Sequence, residues 1–73
     1  MIITDSLYRW RNDPPKNAWL KIEIGKDGWT VEVLAHGNHF KPKTIFEVDD
    51  YGCTDIAAAI EEAYAVAIER EKP

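Results

Sequence analysis

The chain has little of what most chemistry needs. Its single cysteine, Cys53, excludes an internal disulfide and fits a reducing compartment. No stretch approaches the ~20 apolar residues that span a bilayer. Met1-Ile2-Ile3-Thr4-Asp5 shows no basic region followed by an apolar run, so no signal peptide is expected and the chain reads as cytoplasmic. There are four glycines, and none sits in a phosphate-cradling loop after a strand: Gly25 and Gly28 belong to a hairpin signal. His36, His39 and Cys53 supply three metal ligands at most, where a structural zinc site takes four. Asp49, Asp50 and Asp55 lack the alternating oxygen ligands of a calcium loop. Cys53 has no evident base partner, and carboxylates on an exposed face stay solvated rather than acquiring the shifted pKa of an acid–base catalyst. A chain of 73 residues also has little room for a concave pocket. These absences argue against an enzyme, a cofactor and a metal.

What is present is charge, unevenly divided. Residues 1–46 carry seven Lys/Arg against five Asp/Glu, a net of +2. Residues 47–73 carry eight acids against Arg70 and Lys72, a net of −6, and the whole chain stands at −4. A field of that sign repels nucleic acid and attracts basic partners. Arg9, Trp10, Arg11, Lys16 and Trp19 form a basic aromatic cluster of the kind that stacks single strands. The acidic second half opposes phosphate binding, so direct contact with nucleic acid is not expected. Trp and Arg are also the usual anchors of protein interfaces, and that reading suits the cluster better.

One domain is expected over residues 1–73, with a thin core, because so short a chain buries only about 60% of its unfolded surface. Leu20, Ile22 and Ile24 alternate with Trp19, Lys21 and Glu23, the period of a half-buried strand. Gly25-Lys26-Asp27-Gly28 reads as a hairpin turn. Trp29, Val31 and Val33 then continue the alternation, which places Ile24 opposite Trp29, Ile22 opposite Val31 and Leu20 opposite Val33. A second turn at Gly37-Asn38 would set Trp29 against Phe46 and Val31 against Thr44. It would also align Lys21, Glu32 and Lys43 on the outer face, where facing opposite charges contribute roughly 0.2–1 kcal/mol a pair. From Thr54, a candidate N-cap, a helix would place Ile56, Ala59, Ile60, Ala63, Tyr64 and Ala67 on one face. Leu7-Tyr8-Arg9-Trp10-Arg11 suits a fourth strand better than a short helix capped by Thr4 or Asp5. The fold expected is α+β: a three- or four-stranded antiparallel meander with one C-terminal helix packed on one face.

In size, acidity and meander-plus-helix layout the whole chain resembles the small phage-encoded inhibitors of bacterial defence, anti-CRISPR proteins among them. That resemblance implies non-enzymatic binding to a host nucleoprotein complex, in the host cytoplasm. Residues 20–68 are similar to the HicB-type antitoxin domain, with Asp27-Gly28-Trp29-Thr30-Val31 as its hairpin and Thr54, Ile56, Ala59, Ile60 and Ala63 as its helix start. The chain lacks that family's Pro-Asp-Leu-Pro-Gly-like segment after the second strand.

The functional expectation is an acidic inhibitor that occupies a basic, nucleic-acid-binding surface on a protein partner. Asp49, Asp50, Asp55, Glu61, Glu62 and Glu69 would supply the charge, with Trp10 or Trp19 as apolar anchor. Complementary charge would speed the encounter and make it salt-sensitive. The protein is expected to be a monomer or homodimer, and the rival reading is an antitoxin-like or structural oligomerisation module acting through an outer sheet face where Trp19 and Leu34 pair.

Overall fold

The hairpin forms as the alternation predicts. The protein is seen here as a computed structural model that describes residues 3–36, 41–52 and 55–71, Ile3 and Thr4 by backbone alone. In chain order the elements are α1 (Ile3–Asn12), β1 (Ala18–Gly25), β2 (Gly28–His36), β3 (Pro42–Asp49) and α2 (Ile56–Glu71). They make an α+β fold: one antiparallel sheet of order β1-β2-β3 with α2 against β2 and β3, and α1 packed on α2. Ile24 faces Trp29, Ile22 faces Val31 and Leu20 faces Val33. The connection is Lys26-Asp27. Gly28 has φ +133°, and a Cβ there would overlap the Asp50 carboxylate, so glycine permits both the turn and the approach of the β3–α2 loop.

The second register differs from expectation. Val31 faces Val48, Val33 faces Phe46 and Glu32 faces Glu47, while His36 faces Pro42. Strand pairing ends at His36 and Pro42, and the expected Gly37-Asn38 turn lies outside the described residues. Burial explains the choice. The observed offset brings Val48 to the inner face opposite Val31, where the expected one would bring Thr44. Burying a Val side chain contributes roughly 1.5–3 kcal/mol, more than the charge pairing that favoured the other register. Leu34 then faces Thr44, so Ile45 is the extra residue of a bulge.

The N-terminal segment is also corrected: Leu7–Arg11 is helix, not a fourth strand. Asp5 lies in the first turn of α1 and Arg9 and Arg11 in the last, the arrangement a helix dipole favours. Ser6 and Trp10, four residues apart, share the face that meets α2. The fully buried Ser6 donates from Oγ to the Ala57 carbonyl at 3.0 Å, and the Trp10 indole N–H donates to the Ile60 carbonyl at 3.3 Å. Trp10 also meets the Tyr64 ring edge-on, centroids 5.5 Å apart. A helix this short is marginal alone, so these contacts decide its conformation. Pro14 and Pro15 follow, and proline disfavours helix in the residue before it.

In α2, Ala57, Ala59, Ile60, Ala63, Tyr64 and Ala67 are buried. The alanines let the helix sit close over Val31 and Val33, and these residues form the core. Asp55 caps the helix, and Thr54, the expected cap, lies outside the described residues. The Asp55 carboxylate accepts from the Ala57 N–H at 3.0 Å, and its carbonyl takes the first helical bond, from Ala59.

Candidate functional site

The six acids expected to form one binding row are dispersed, and several serve the fold. Asp49 accepts the N–H groups of Tyr51 and Gly52 at 3.0 and 3.1 Å, which shapes the turn after β3. Asp50 lies with its carboxylate against Gly28. Asp55 caps α2. Glu61 is half-buried and pairs with the Arg9 guanidinium of α1 at 3.1 Å. Only Glu62 and Glu69 stand on the exposed stripe of α2, with Ala58 and Ala65 between and beside them. Glu71, in the last turn, accepts the Asn17 N–H at 3.0 Å.

The two tryptophans have separate roles. Trp10 is turned inward between the helices, where its hydrogen bond and ring contact tie α1 to α2. Trp19 lies on the outer face of the sheet. It faces Leu34 across the strands and meets the His36 ring at 5.1 Å, the planes inclined at 61°. His39 and Cys53, considered with His36 for a metal, lie outside the described residues. Among the described residues no three His, Cys, Asp or Glu side chains gather to hold a metal ion.

The sheet's outer face collects acids that sequence reasoning did not assign to a site. Lys21 and Glu23 of β1, Glu32 of β2 and Glu47 of β3 share it, since strand residues two apart point the same way and facing residues share a side. Lys21 Nζ pairs with Glu23 Oε1 at 2.9 Å. Hydrogen bonding to Glu23, then the charges of Glu23 and Glu32, raise the pKa of that ammonium. Glu32 faces Glu47, and like charges directly opposite are destabilising. Hydrogen bonding to Glu32 and its negative charge push the Glu47 carboxyl above its ordinary value. Lys43, expected beside Glu32, instead faces Ala35. The signal was present in the alternation of β2 and β3, but only the correct register joins Glu32 to Glu47.

The outer face thus has an apolar end, Trp19, Leu34 and His36, and an acidic end, Glu23, Glu32 and Glu47. Neither helix covers it, because α2 packs over the inner-face residues Val31 and Val33. Among the described residues no helix is long and apolar enough to cross a membrane. No protein-family model matches this chain, and no curated protein or solved structure matches it either.

Proposed function

We propose that this is a non-enzymatic acidic binding protein that inhibits a larger complex by covering a basic, nucleic-acid-binding surface on it, and that it does so with the outer face of its sheet. The anti-CRISPR resemblance implies a bacterial defence complex as that partner. The observation that carries the reading is the Glu32–Glu47 pair. Two facing carboxylates on an uncovered sheet weaken the free protein, and a partner's Lys or Arg placed between them would relieve the repulsion. Trp19 and Leu34, a few residues along the same face, supply an apolar anchor of the kind that dominates protein interfaces. Glu62 and Glu69 add charge on α2, on the opposite side of the molecule, and serve solubility in this reading.

Affinity capture from a bacterial lysate tests it, with wild type beside Glu32→Lys/Glu47→Lys and Glu62→Lys/Glu69→Lys. The expected result is a nucleic-acid-binding complex held by wild type and by the helix variant, released by added duplex DNA, and lost with the sheet variant. Retention of the same proteins by the sheet variant would refute the proposal. Loss with the helix variant alone would return the binding surface to α2.

A second reading, self-association through the outer face, is favoured by the Trp19–His36 ring contact and Leu34 beside it. Leu34→Ser would abolish a dimer of that kind.

A further inference from the structure

β1 is an outer strand of the sheet, and among the described residues nothing pairs with its free edge. Its main-chain groups can be assigned directions. The His36 N–H donates to the Asn17 carbonyl at 3.3 Å, just before β1 begins. Antiparallel pairing alternates, so the N–H and C=O groups of Trp19, Lys21 and Glu23 turn toward β2. Those of Ala18, Leu20, Ile22 and Ile24 point outward from the sheet.

The two edges of the sheet differ in protection. β3 begins with Pro42, carries Lys43 and is interrupted by the bulge at Ile45, all devices that discourage strand addition. β1 has no proline and no bulge over Ala18–Gly25. Its inner-face row is apolar and incompletely covered: Leu20 and Ile22 are half-buried, and Ile24 is 72% exposed. An open edge bordered by an apolar row is a template for another strand.

We propose that a second copy of this chain docks on this edge, β1 against β1 and antiparallel, about a two-fold axis at Ile22. The strand's own side chains select that register. With Ile22 facing the partner's Ile22, Lys21 faces the partner's Glu23 and Glu23 faces the partner's Lys21 on the outer side. Leu20 then faces the partner's Ile24 on the inner side and covers it. Centring the axis one residue either way keeps the outward main-chain groups in register but sets Lys21 against Lys21 or Glu23 against Glu23. Like charges so placed are destabilising, so of these three registers charge favours the one centred on Ile22. The ion pair that Lys21 and Glu23 make within each strand is exchanged for one across the junction, two for the two copies, so the number of pairs is kept. Trp19 lies over the partner's Gly25, where nothing approaches within 4 Å of an added Cβ. Ile22, Leu20 and Ile24 would exchange roughly six main-chain hydrogen bonds across the junction. The product is one continuous six-stranded sheet with both outer faces on the same side and free, so this dimer stands whether or not the sheet binds a basic partner.

Sedimentation equilibrium over a wide concentration range tests the assembly, together with hydrogen exchange at the Leu20, Ile22 and Ile24 amides. Wild type is expected to approach twice its 8.4 kDa mass as concentration rises, with those three amides gaining protection in step. Ile24→Lys, at a site too exposed to disturb the fold, is expected to hold the mass at 8.4 kDa. Lys21→Glu is expected to do the same, and Lys21→Glu/Glu23→Lys, which restores opposite charges across the axis, to recover the dimer. A wild type that stays monomeric at every concentration would overturn the proposal. So would a dimer that survives both single variants, or one that dissolves on Leu34→Ser while the three amides show no concentration-dependent protection.

Discussion

The two faces of the sheet are built from the same three strands and behave as different materials. On the inner face, Val31 and Val33 are fully buried beneath Ala59, Ile60 and Ala63, and Phe46 and Val48 pack against them. On the outer face, Glu32 and Glu47 face each other and Trp19 meets the His36 ring edge-on, with neither α1 nor α2 above. The inner face determines register, and the outer face accepts what that register brings. Apolar burial outweighs surface charge pairing, so a glutamate pair persists where a lysine could have stood. A protein that tolerates such a pair has either no use for that face or a use that needs it.

Changes on the inner face should therefore be large and changes on the outer face small. Ile60 is fully buried, and Ile60→Ala removes its contacts with the sheet and leaves a cavity. A loss of about 3 kcal/mol is expected, which lowers the thermal midpoint by more than about 10 °C in a domain this small. A loss under about 1 kcal/mol would show that α2 is not the principal cover of the sheet.

The helix pair comes next. The Tyr64 hydroxyl donates to the Asp13 carbonyl at 2.6 Å, and the Arg9 guanidinium lies over its ring at 5.6 Å. Tyr64→Phe keeps the ring and loses the bond, at an expected cost of about 1 kcal/mol by urea titration. Burial, and then the charge and hydrogen bond of Asp13, raise the pKa of this phenol above its ordinary value. The folded state therefore holds the proton more tightly. That contribution is intact below the ordinary phenol pKa and is lost as pH rises through the raised one. In wild type, stability should fall there, and in Tyr64→Phe this part of the fall should be missing.

The smallest effect belongs to the outer face and has the opposite sign. Glu47→Gln should raise the thermal midpoint slightly at neutral pH, because it removes the repulsion with Glu32. With its pKa raised, Glu47 weakens the folded state when ionised, and that penalty disappears as pH falls through the raised value. The advantage of Glu47→Gln should therefore vanish in acid, as melting curves of both proteins across pH would show. A midpoint that drops at neutral pH would mean that the carboxylate makes a favourable contact instead.

The hairpin was legible in the residues because its information is local. Alternation over seven residues and a turn of glycine, lysine and aspartate admit one buried face. The inward row of α2 was legible for the same reason, from apolar residues at helical spacing. The site was less so. Asp49, Asp50, Asp55 and Glu61 look alike in sequence, yet the first shapes a turn, the second lies on a glycine, the third caps a helix and the fourth pairs with α1. An acid's charge is written in the chain, but its partner is a matter of position.

By itself, then, the sequence determined the meander's first hairpin, the buried stripe of its long helix and the acidic balance of its second half. These depend on neighbours within a few residues. Tertiary structure alone decided that Leu7–Arg11 coils rather than extends, since Ser6 and Trp10 find their partners on α2, about fifty residues away. It also decided that β3 pairs four residues further along than its charges suggested, since only α2 makes burying Val48 worth more than pairing Lys43 with Glu32. Both outcomes rest on the same physical fact: contacts between distant segments bury more apolar surface than local patterns can offer, and the local preferences yield.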